Sequence, residues 1–277
     1  MTVLAVSVIV RARDEAPSIG RCLDLVRGQR LDGRALELIV VDSGSRDETA
    51  AIARDHGAKV IEQPASAFSF GRALNLGCAN AGGDLLVALS AHAFPRDELW
   101  LGRLAAVFGD GMVACACGDR YGPDASPLSA PVRQDLALAT RRPDWGYSNA
   151  AGAIRADLWR RRPFRADLTG GEDKEWAWHW LAQGYFCVVD PALTVDHDHA
   201  HDPLTSIYKR ARREWQGFAT FLAPERAYGP RELASEWWSD RRFYSSPTRA
   251  RVSHRRAARL LGGYAGRRRA RRGATGP

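Results

Sequence analysis

Residues 3–18 read VLAVSVIVRARDEAPS, and this stretch decides the fold class. Its first half, Val3–Val10, is rich in β-branched residues, which is typical of a strand buried on both faces of a parallel sheet. Arg11–Pro17 is expected to form the loop that follows, and Ser18 to cap a helix that continues to about Gln29. The stretch therefore predicts the strand–loop–helix unit with which an α/β domain begins.

The same alternation of strand and helix continues through the first half of the chain. Further buried strands are predicted at Leu36–Val41, Lys59–Glu62 and Leu85–Leu89. Strands that alternate with helices form a parallel sheet, and such sheets bind ligands where the strands end. The loops at those ends are Arg11–Glu15, Asp42–Ser45 and Ser90–Pro95.

These loops lack the patterns of several enzyme classes. No GxGxxG, GxxxxGK[ST] or GxSxG follows a strand, which argues against dinucleotide-binding, P-loop and α/β-hydrolase proteins. Two of the three loops carry acidic residues, which suits a site for a sugar, a base or a metal ion. The second half is less regular, with a short helix expected over Gln134–Thr140, strand-like segments over Tyr185–Asp190 and Ala192–Val195, and an amphipathic helix over about Pro203–Phe221.

The composition is that of a globular protein with an ample core. Of 277 residues, 45% are hydrophobic and 26% charged. The apolar run at residues 5–10 is far below the ~20 residues that span a bilayer, and no basic segment precedes it. A cytoplasmic protein is therefore expected, and the five cysteines, which show no metal-site spacing, are expected to be reduced and mostly buried.

Two clusters outside the strand-end loops contain side chains that could act in catalysis or bind a metal ion. Glu172 and Asp173 follow two glycines and precede a tryptophan-rich helix. They could simply favour the start of that helix, but a carboxylate there could also act as a general base. His197, His199 and His201 alternate along the chain, so in an extended segment they would share one face and could bind a divalent metal, or form a solvated loop.

Six motifs in this order resemble the family 2 glycosyltransferases, and most closely their bacterial rhamnosyltransferase-like branch. They are VSVIVRARDE (6–15), LIVVDSGSRDET (38–49), GRALNLGCANAGGDLLVALSAHAFP (71–95), SNAAGAIRADLW (148–159), GGEDKEWAWHWLAQGY (170–185) and VDHDHAH (195–201). The resemblance covers about Val3–Phe221. It implies a GT-A fold, which is an α/β fold with a mostly parallel central sheet flanked by helices. It also implies a nucleoside-diphosphate sugar as donor and inverting transfer to an acceptor hydroxyl, usually with Mg²⁺ or Mn²⁺.

The resemblance divides the chain into a transferase domain at 1–222 and a C-terminal extension at 223–277. Within the first, residues 1–110 would bind the nucleotide and 111–222 the acceptor. Asp173 matches the catalytic base, and Glu172 would orient it or contact the acceptor. Asp42 matches the acid that recognises the base of the nucleotide. The full set predicted for donor binding is Arg11, Asp14, Glu15, Asp42, Ser43, Arg72, Asn75, Ser90 and His92. Asn149 and Trp176 are predicted for the acceptor, Trp176 because it follows Glu172 and Asp173 and flat tryptophan faces often line ligand pockets.

One position departs from the family pattern. The family ends its fourth strand with an acidic metal motif, whereas this chain has Ser90, Ala91 and His92 there. Imidazole suits Mg²⁺ or Mn²⁺ less well than a carboxylate does. Three outcomes stay open: His92 binds a metal together with His197 or His199, the metal is bound weakly, or cationic side chains replace it. A catalytically lapsed sugar-nucleotide-binding or assembly protein is an alternative, and nucleotidyl transfer a weaker one.

The net charge of +8 comes from the C-terminal end. Twelve arginines and no acidic residue follow position 240, so residues 1–240 carry about −4. A terminal basic segment on an acidic body does not favour nucleic-acid binding. Most of these arginines, including Arg255, Arg256 and Arg259, are expected to be solvated, with the tail dispensable for catalysis and either in peripheral contact with an anionic membrane or without a partner.

Overall fold

The structure is a computed structural model that describes residues 5–197, 202–222, 229–239 and 252–274. Within these ranges, eight strands form one mixed sheet in the order β3-β2-β1-β4-β7-β5-β8-β6. The strands are β1 (Val6–Ala12), β2 (Leu36–Asp42), β3 (Lys59–Glu62), β4 (Leu85–Ser90), β5 (Val113–Cys117), β6 (Val132–Gln134), β7 (Ala151–Arg155) and β8 (Phe186–Val189).

Helices cover both faces of the sheet or follow it in the chain. They are α1 (Ala16–Arg27), α2 (Thr49–Asp55), α3 (Phe70–Ala79), α4 (Trp100–Val107), α5 (Leu136–Arg141), α6 (Ala156–Arg161), α7 (Glu172–Leu181), α8 (Leu204–Phe218), α9 (Pro230–Ser239) and α10 (His254–Ala274). In the described parts of the chain, every helix is too short or too polar to span a lipid bilayer.

The first four strands confirm the parallel sheet predicted from their sequence. β1 pairs in parallel with both β2 and β4, and its register places Ala12 beside Asp42 and Arg11 beside Ser90. The strand-end loops therefore meet at one edge of the sheet, as expected. The start of α1 was predicted wrongly, because the helix begins at Ala16 and the Ser18 hydroxyl instead donates a hydrogen bond to the Glu15 carboxylate (2.6 Å).

The second half of the sheet is partly antiparallel. β7 runs antiparallel to β4 and β5, so the segment before it lies at the same edge as the end of β4, where the Ser90 N–H donates to Ala150 O (2.8 Å). Two expectations were wrong here. Gln134 ends β6 rather than starting a helix, and Pro191–Leu193 forms a 3₁₀ turn where a strand-like segment was expected.

All five cysteines are buried, as predicted, and none of them is in a disulfide. Three of them, Cys115, Cys117 and Cys187, pack between β5 and β8 in the core on one face of the sheet. They behave there as small apolar side chains.

The described residues form two compact units, and the boundary between them falls within α7. The first unit contains residues 5–167 and 176–197, and therefore the whole sheet. The second contains residues 168–175 with α8, α9 and α10. In the second unit, glycines of α10 lie directly against α8, because a Cβ at Gly262 or Gly266 would overlap the carbonyl oxygen of Tyr208 or Arg212.

The C-terminal segment is not a solvated tail where the structure describes it. α10 is a 21-residue helix, and Arg256 within it is 1% exposed. Arg256 donates hydrogen bonds to the carbonyls of Glu236 (3.0 Å) and Trp237 (2.9 Å), while the Arg267 guanidinium lies 3.4 Å from the centre of the Trp215 ring. The expectation of solvation is therefore wrong for Arg256, since α9 and α8 supply partners that the tail alone does not have. Residues 240–251 lie outside the described residues.

Candidate active site

Asp42 shapes the loop that follows β2. Its side chain is buried and accepts backbone hydrogen bonds from Gly44 (3.2 Å) and Ser45 (3.0 Å), together with the Ser45 hydroxyl. Gly44 has a φ of 78°, which favours glycine and lets the chain turn back over the carboxylate. Each carboxylate oxygen can accept more than one hydrogen bond, so this geometry is compatible with the predicted contact to a nucleotide base.

Ser43 stabilises the same loop through two hydrogen bonds. It is buried, its N–H donates to Ala12 O (2.9 Å), and its hydroxyl accepts from the Gln63 amide (3.1 Å). Gln63 was not predicted as a site residue. The available signal was its position directly after β3, whose end lies at the same edge as the ends of β1 and β2.

Arg11 connects the loop after β1 to the segment before β7. Its guanidinium donates from Nη2 to both the carbonyl and the side-chain oxygen of Asn149, each at 3.0 Å. Arg11 and Asn149 were predicted in different halves of the domain, and the antiparallel course of β7 brings them together. The result is a cation held in a fixed position at the end of the central strands.

Glu15 and His92 form a second polar pair at this edge. His92 Nδ1 lies 2.6 Å from Glu15 Oε1. Burial alone would raise the pKa of the Glu15 carboxyl, but hydrogen bonds from His92 and Ser18 outweigh it and lower this pKa below its usual value. An ionised carboxylate can only accept a hydrogen bond, so His92 Nδ1 carries the hydrogen in this pair. Asp14 adjoins the pair and accepts from the Arg46 N–H (2.8 Å).

The predicted metal ligands come together only in part. The His92 and His197 rings stack with their centres 4.9 Å apart. In the described residues, no group of three or more side chains of ligating type surrounds a common point. His199 lies outside those residues. The two imidazoles fit an incomplete set, in which oxygen atoms of a bound diphosphate would supply further ligands, and the Glu15–His92 pair has the form of a carboxylate that orients a metal-binding histidine.

α3 contributes one exposed cation and one structural amide. Ser69 caps the helix by accepting a hydrogen bond from the Arg72 backbone N–H (3.1 Å). The Arg72 side chain is exposed. Asn75 donates to Phe164 O (2.7 Å) and accepts from the Trp159 indole (3.0 Å) and the Phe164 N–H (3.0 Å). Its amide therefore holds residues 159–164 against α3, and its predicted contact with the donor stays a prediction.

A cavity of about 610 Å³ in the first unit opens between the loops that follow β5 and β8. Sequence reasoning assigned no role to most of its lining. The signal that could have found it is that these loops also end strands of the sheet. Its polar and aromatic lining consists of Asp119, Arg120, Tyr121, Ser148, Thr194, Asp196 and His197. Hydroxyl-binding side chains, an aromatic ring and this volume suit a sugar-sized ligand.

In the second unit, Glu172 and Asp173 begin α7, as predicted. Gly171, with a φ of 77°, turns the chain into the helix, and Asp173 Oδ1 accepts the Lys174 N–H (2.8 Å). Glu172 is 3% exposed, and its predicted role beside Asp173 stays a prediction.

Trp176 was predicted wrongly as an acceptor-binding residue. Its side chain is 0% exposed and packs against Tyr147, Phe164 and Trp180, while its indole N–H donates to Arg162 O (2.7 Å). A residue enclosed by core partners on all sides cannot reach a substrate.

Comparisons with known proteins found a matching family, similar curated proteins and similar solved structures. Residues 7–166 match the model of the family described as glycosyl transferase family 2. The chain is 31% identical over 229 residues to glycosyltransferase AglE of Haloferax volcanii. The aligned region covers 76% of this chain and 72% of that protein. It is 32% identical over 184 residues to the O-antigen chain rhamnosyltransferase RfbN of Salmonella typhimurium, covering 60% of this chain and 58% of that protein. The chain spans from 22% to 72% of the length of the curated relatives it matches.

Among solved structures, it is similar to the mannosyltransferase PcManGT from Pyrobaculum calidifontis in complex with GDP-Man and Mn²⁺. The TM-score is 0.66 at 21% identity, and the match covers 100% of this chain and 77% of that chain. This likeness shows the GT-A fold.

Proposed function

Because this chain belongs to glycosyltransferase family 2, we propose that it transfers a sugar from a nucleoside-diphosphate donor to an acceptor hydroxyl with inversion at the anomeric carbon. The observation that carries the proposal is the strand-end edge, where Asp42, Arg11 and the Glu15–His92 pair lie at or just after the ends of the neighbouring strands β2, β1 and β4. The Asp42 carboxylate, which can accept a hydrogen bond from a nucleotide base, lies there next to groups that can offset the negative charge of a diphosphate.

In the proposed reaction, Asp173 removes the proton of the acceptor hydroxyl. The oxygen forms a bond to the anomeric carbon as the bond from that carbon to the diphosphate breaks, and the leaving group carries away the electron pair. A single in-line displacement of this kind inverts the configuration. Glu172 would position Asp173, and Arg11 and Arg72 would stabilise the negative charge that develops on the departing diphosphate.

A divalent cation, when bound, would supply electrostatic stabilisation of the leaving diphosphate. His92 and His197 are the residues that would hold it, with diphosphate oxygens as the remaining ligands. Nitrogen ligation favours Mn²⁺ over Mg²⁺ at such a site. The complex of PcManGT with Mn²⁺ supports this part of the proposal.

The rhamnosyltransferase among the relatives supports a deoxyhexose as the transferred sugar.

A contact with anionic membranes would depend on exposed side chains such as Arg268 and Arg269, because Arg256 and Arg267 of α10 bind within the protein. Co-sedimentation with anionic vesicles tests this contact, and pelleting that is unaffected by Arg268→Glu with Arg269→Glu would reject it.

The donor is tested by thermal shift with UDP-, dTDP- and GDP-sugars, each with and without Mn²⁺. A ligand that binds the folded state raises the melting temperature, so the donor should give the largest shift. Asp42→Ala should reduce that shift and also the shift given by the free nucleoside diphosphate, whereas Asp55→Ala, on the exposed face of α2, is the matched control. Stabilisation by no nucleotide sugar, or equal shifts in Asp42→Ala and wild type, would contradict the assignment. Binding without transfer to any acceptor would favour a lapsed sugar-nucleotide-binding protein.

A further inference from the structure

In the first unit, hydrogen bonds in both directions join the loop after β1 to the segment after β2. The Asp14 N–H donates to Ser45 Oγ (2.9 Å), and Asp14 Oδ1 accepts from the Arg46 N–H (2.8 Å). One residue further along, the Glu15 N–H donates to Thr49 Oγ1 (2.8 Å). The backbone that carries Glu15 is therefore fixed by the segment that follows the neighbouring strand.

The backbone at Asp14 depends on this contact. Asp14 has a φ of 53°, in the left-handed region that residues other than glycine, asparagine and aspartate rarely adopt. Such a conformation persists where the surrounding structure overdetermines it, and the hydrogen bonds with Ser45 and Arg46 do so here. Because Glu15 follows directly, the direction in which its side chain leaves the loop is set at Asp14.

Ser45 also belongs to the part of the site at which the nucleotide base is proposed to bind. Its hydroxyl donates to Asp42 Oδ1 while it accepts from the Asp14 N–H. At the other end of the loop, Glu15 Oε1 lies 2.6 Å from His92 Nδ1. A continuous path of hydrogen bonds and backbone thus joins Asp42 to His92 through Ser45.

We propose that Ser45 is a positioning residue that holds the base-binding and diphosphate-binding ends of the donor site at a fixed separation. The inference rests on the proposed function, in which Asp42 binds the base and His92 helps to hold the diphosphate. A nucleoside diphosphate reaches both ends, so it gains affinity from a site whose ends are already correctly spaced. A nucleoside monophosphate spans less of the site and gains less.

Loss of the Ser45 hydroxyl should separate the two ends without dismantling either. Asp42 keeps its hydrogen bonds from the backbone N–H groups of residues 44 and 45, so the base-binding loop retains its shape. Glu15 keeps its bond to Thr49 and its contact with His92. What is lost is the bond from Ser45 to the Asp14 backbone, and with it the link between the ends.

The test compares two ligands that carry the same base. Calorimetry with Mn²⁺ measures the dissociation constants of UMP and UDP, dTMP and dTDP, and GMP and GDP, and the pair that binds most tightly is used. Ser45→Ala should weaken the diphosphate about threefold or more relative to the monophosphate. Ser45→Thr keeps the hydroxyl and should restore the wild-type ratio. Ser126→Ala is the matched control, because Ser126 donates a similar hydrogen bond to Asp124 (2.6 Å) in an exposed loop.

The ratio separates positioning from a merely structural role, which would weaken both ligands by the same factor. An unchanged ratio in Ser45→Ala would therefore overturn the inference while leaving the proposed function in place. If none of the three diphosphates binds to wild type, the proposed function itself fails.

A double-mutant cycle on the diphosphate provides a second measurement. His92→Ala should weaken binding less in an Asp42→Ala background than in wild type, because the two ends no longer support one another. With alanine at position 45, the effect of His92→Ala should be the same whether or not Asp42 is present. Equal effects of His92→Ala in wild type and in Asp42→Ala would contradict the link. That comparison leaves Ser45 unchanged, so it still decides if Ser45→Ala does not fold.

Discussion

At the scale of single residues, burial and hydrogen bonding have opposite effects on the pKa of Glu15 in the Glu15–His92 pair. Desolvation disfavours the Glu15 carboxylate, yet His92 and Ser18 stabilise it enough that its pKa falls below the ordinary value. His92 of this pair follows β4, at the position where the family pattern has an acidic motif.

This pair predicts a pH-dependent loss of stability. A carboxyl whose pKa is lowered by folding stabilises the folded state above its unfolded pKa, and that contribution disappears as the pH falls through the folded value. Glu15→Gln should therefore lower the melting temperature most at neutral pH, and the difference from wild type should shrink in acid, below about pH 4. Thermal melts from neutral to acidic pH measure this, with Glu48→Gln as an exposed control. A difference that is constant with pH would contradict the account.

At the scale of elements, the position of the proposed base, Asp173, depends on the close contact between α8 and the turn before α7. Gly217→Ala would drive a methyl group into the Gly170 carbonyl and push the turn away from α8. Overpacking of this kind costs about 1–3 kcal/mol. We expect transfer to fall sharply while donor affinity stays close to wild type. Gly111→Ala is the matched control, because a Cβ there would meet nothing within 4 Å. Equal kcat values for the two variants would show that the turn tolerates displacement.

The elements also show what the sequence could and could not predict. β1 to β4 were predictable because each contains a short apolar run bounded by turn residues. The reversed direction of β7 was not, since a strand buried on both faces looks the same in either orientation. Trp176 looked like a pocket wall from its neighbours Glu172 and Asp173, but only tertiary packing shows that it faces Tyr147 and Phe164.

At the scale of the whole molecule, composition was a poor guide to the C-terminal segment. A run of arginines without acids predicts a solvated tail only if no other part of the chain offers acceptors. Here the carbonyls of Glu236 and Trp237 bind Arg256, and Trp215 stacks with Arg267. The glycines of α10 that allow close packing on α8 carry no hydrophobic signal at all. The candidate site was predicted better than this segment, because strand ends and their polar residues are local features, whereas the cavity lining comes from loops with no such pattern.

The measurement that tests the central claim most directly compares sugar transfer by wild type and Asp173→Asn. It uses the nucleotide sugar that gives the largest thermal shift and a panel of methyl glycosides as acceptors, with donor affinity measured in parallel by calorimetry. The isosteric amide cannot take the acceptor proton, so kcat should fall by about 100-fold or more while the donor dissociation constant changes little. NMR of the wild-type product should show the anomeric configuration inverted relative to the donor. Transfer by Asp173→Asn within a few-fold of wild type, or a product with retained configuration, would contradict the account.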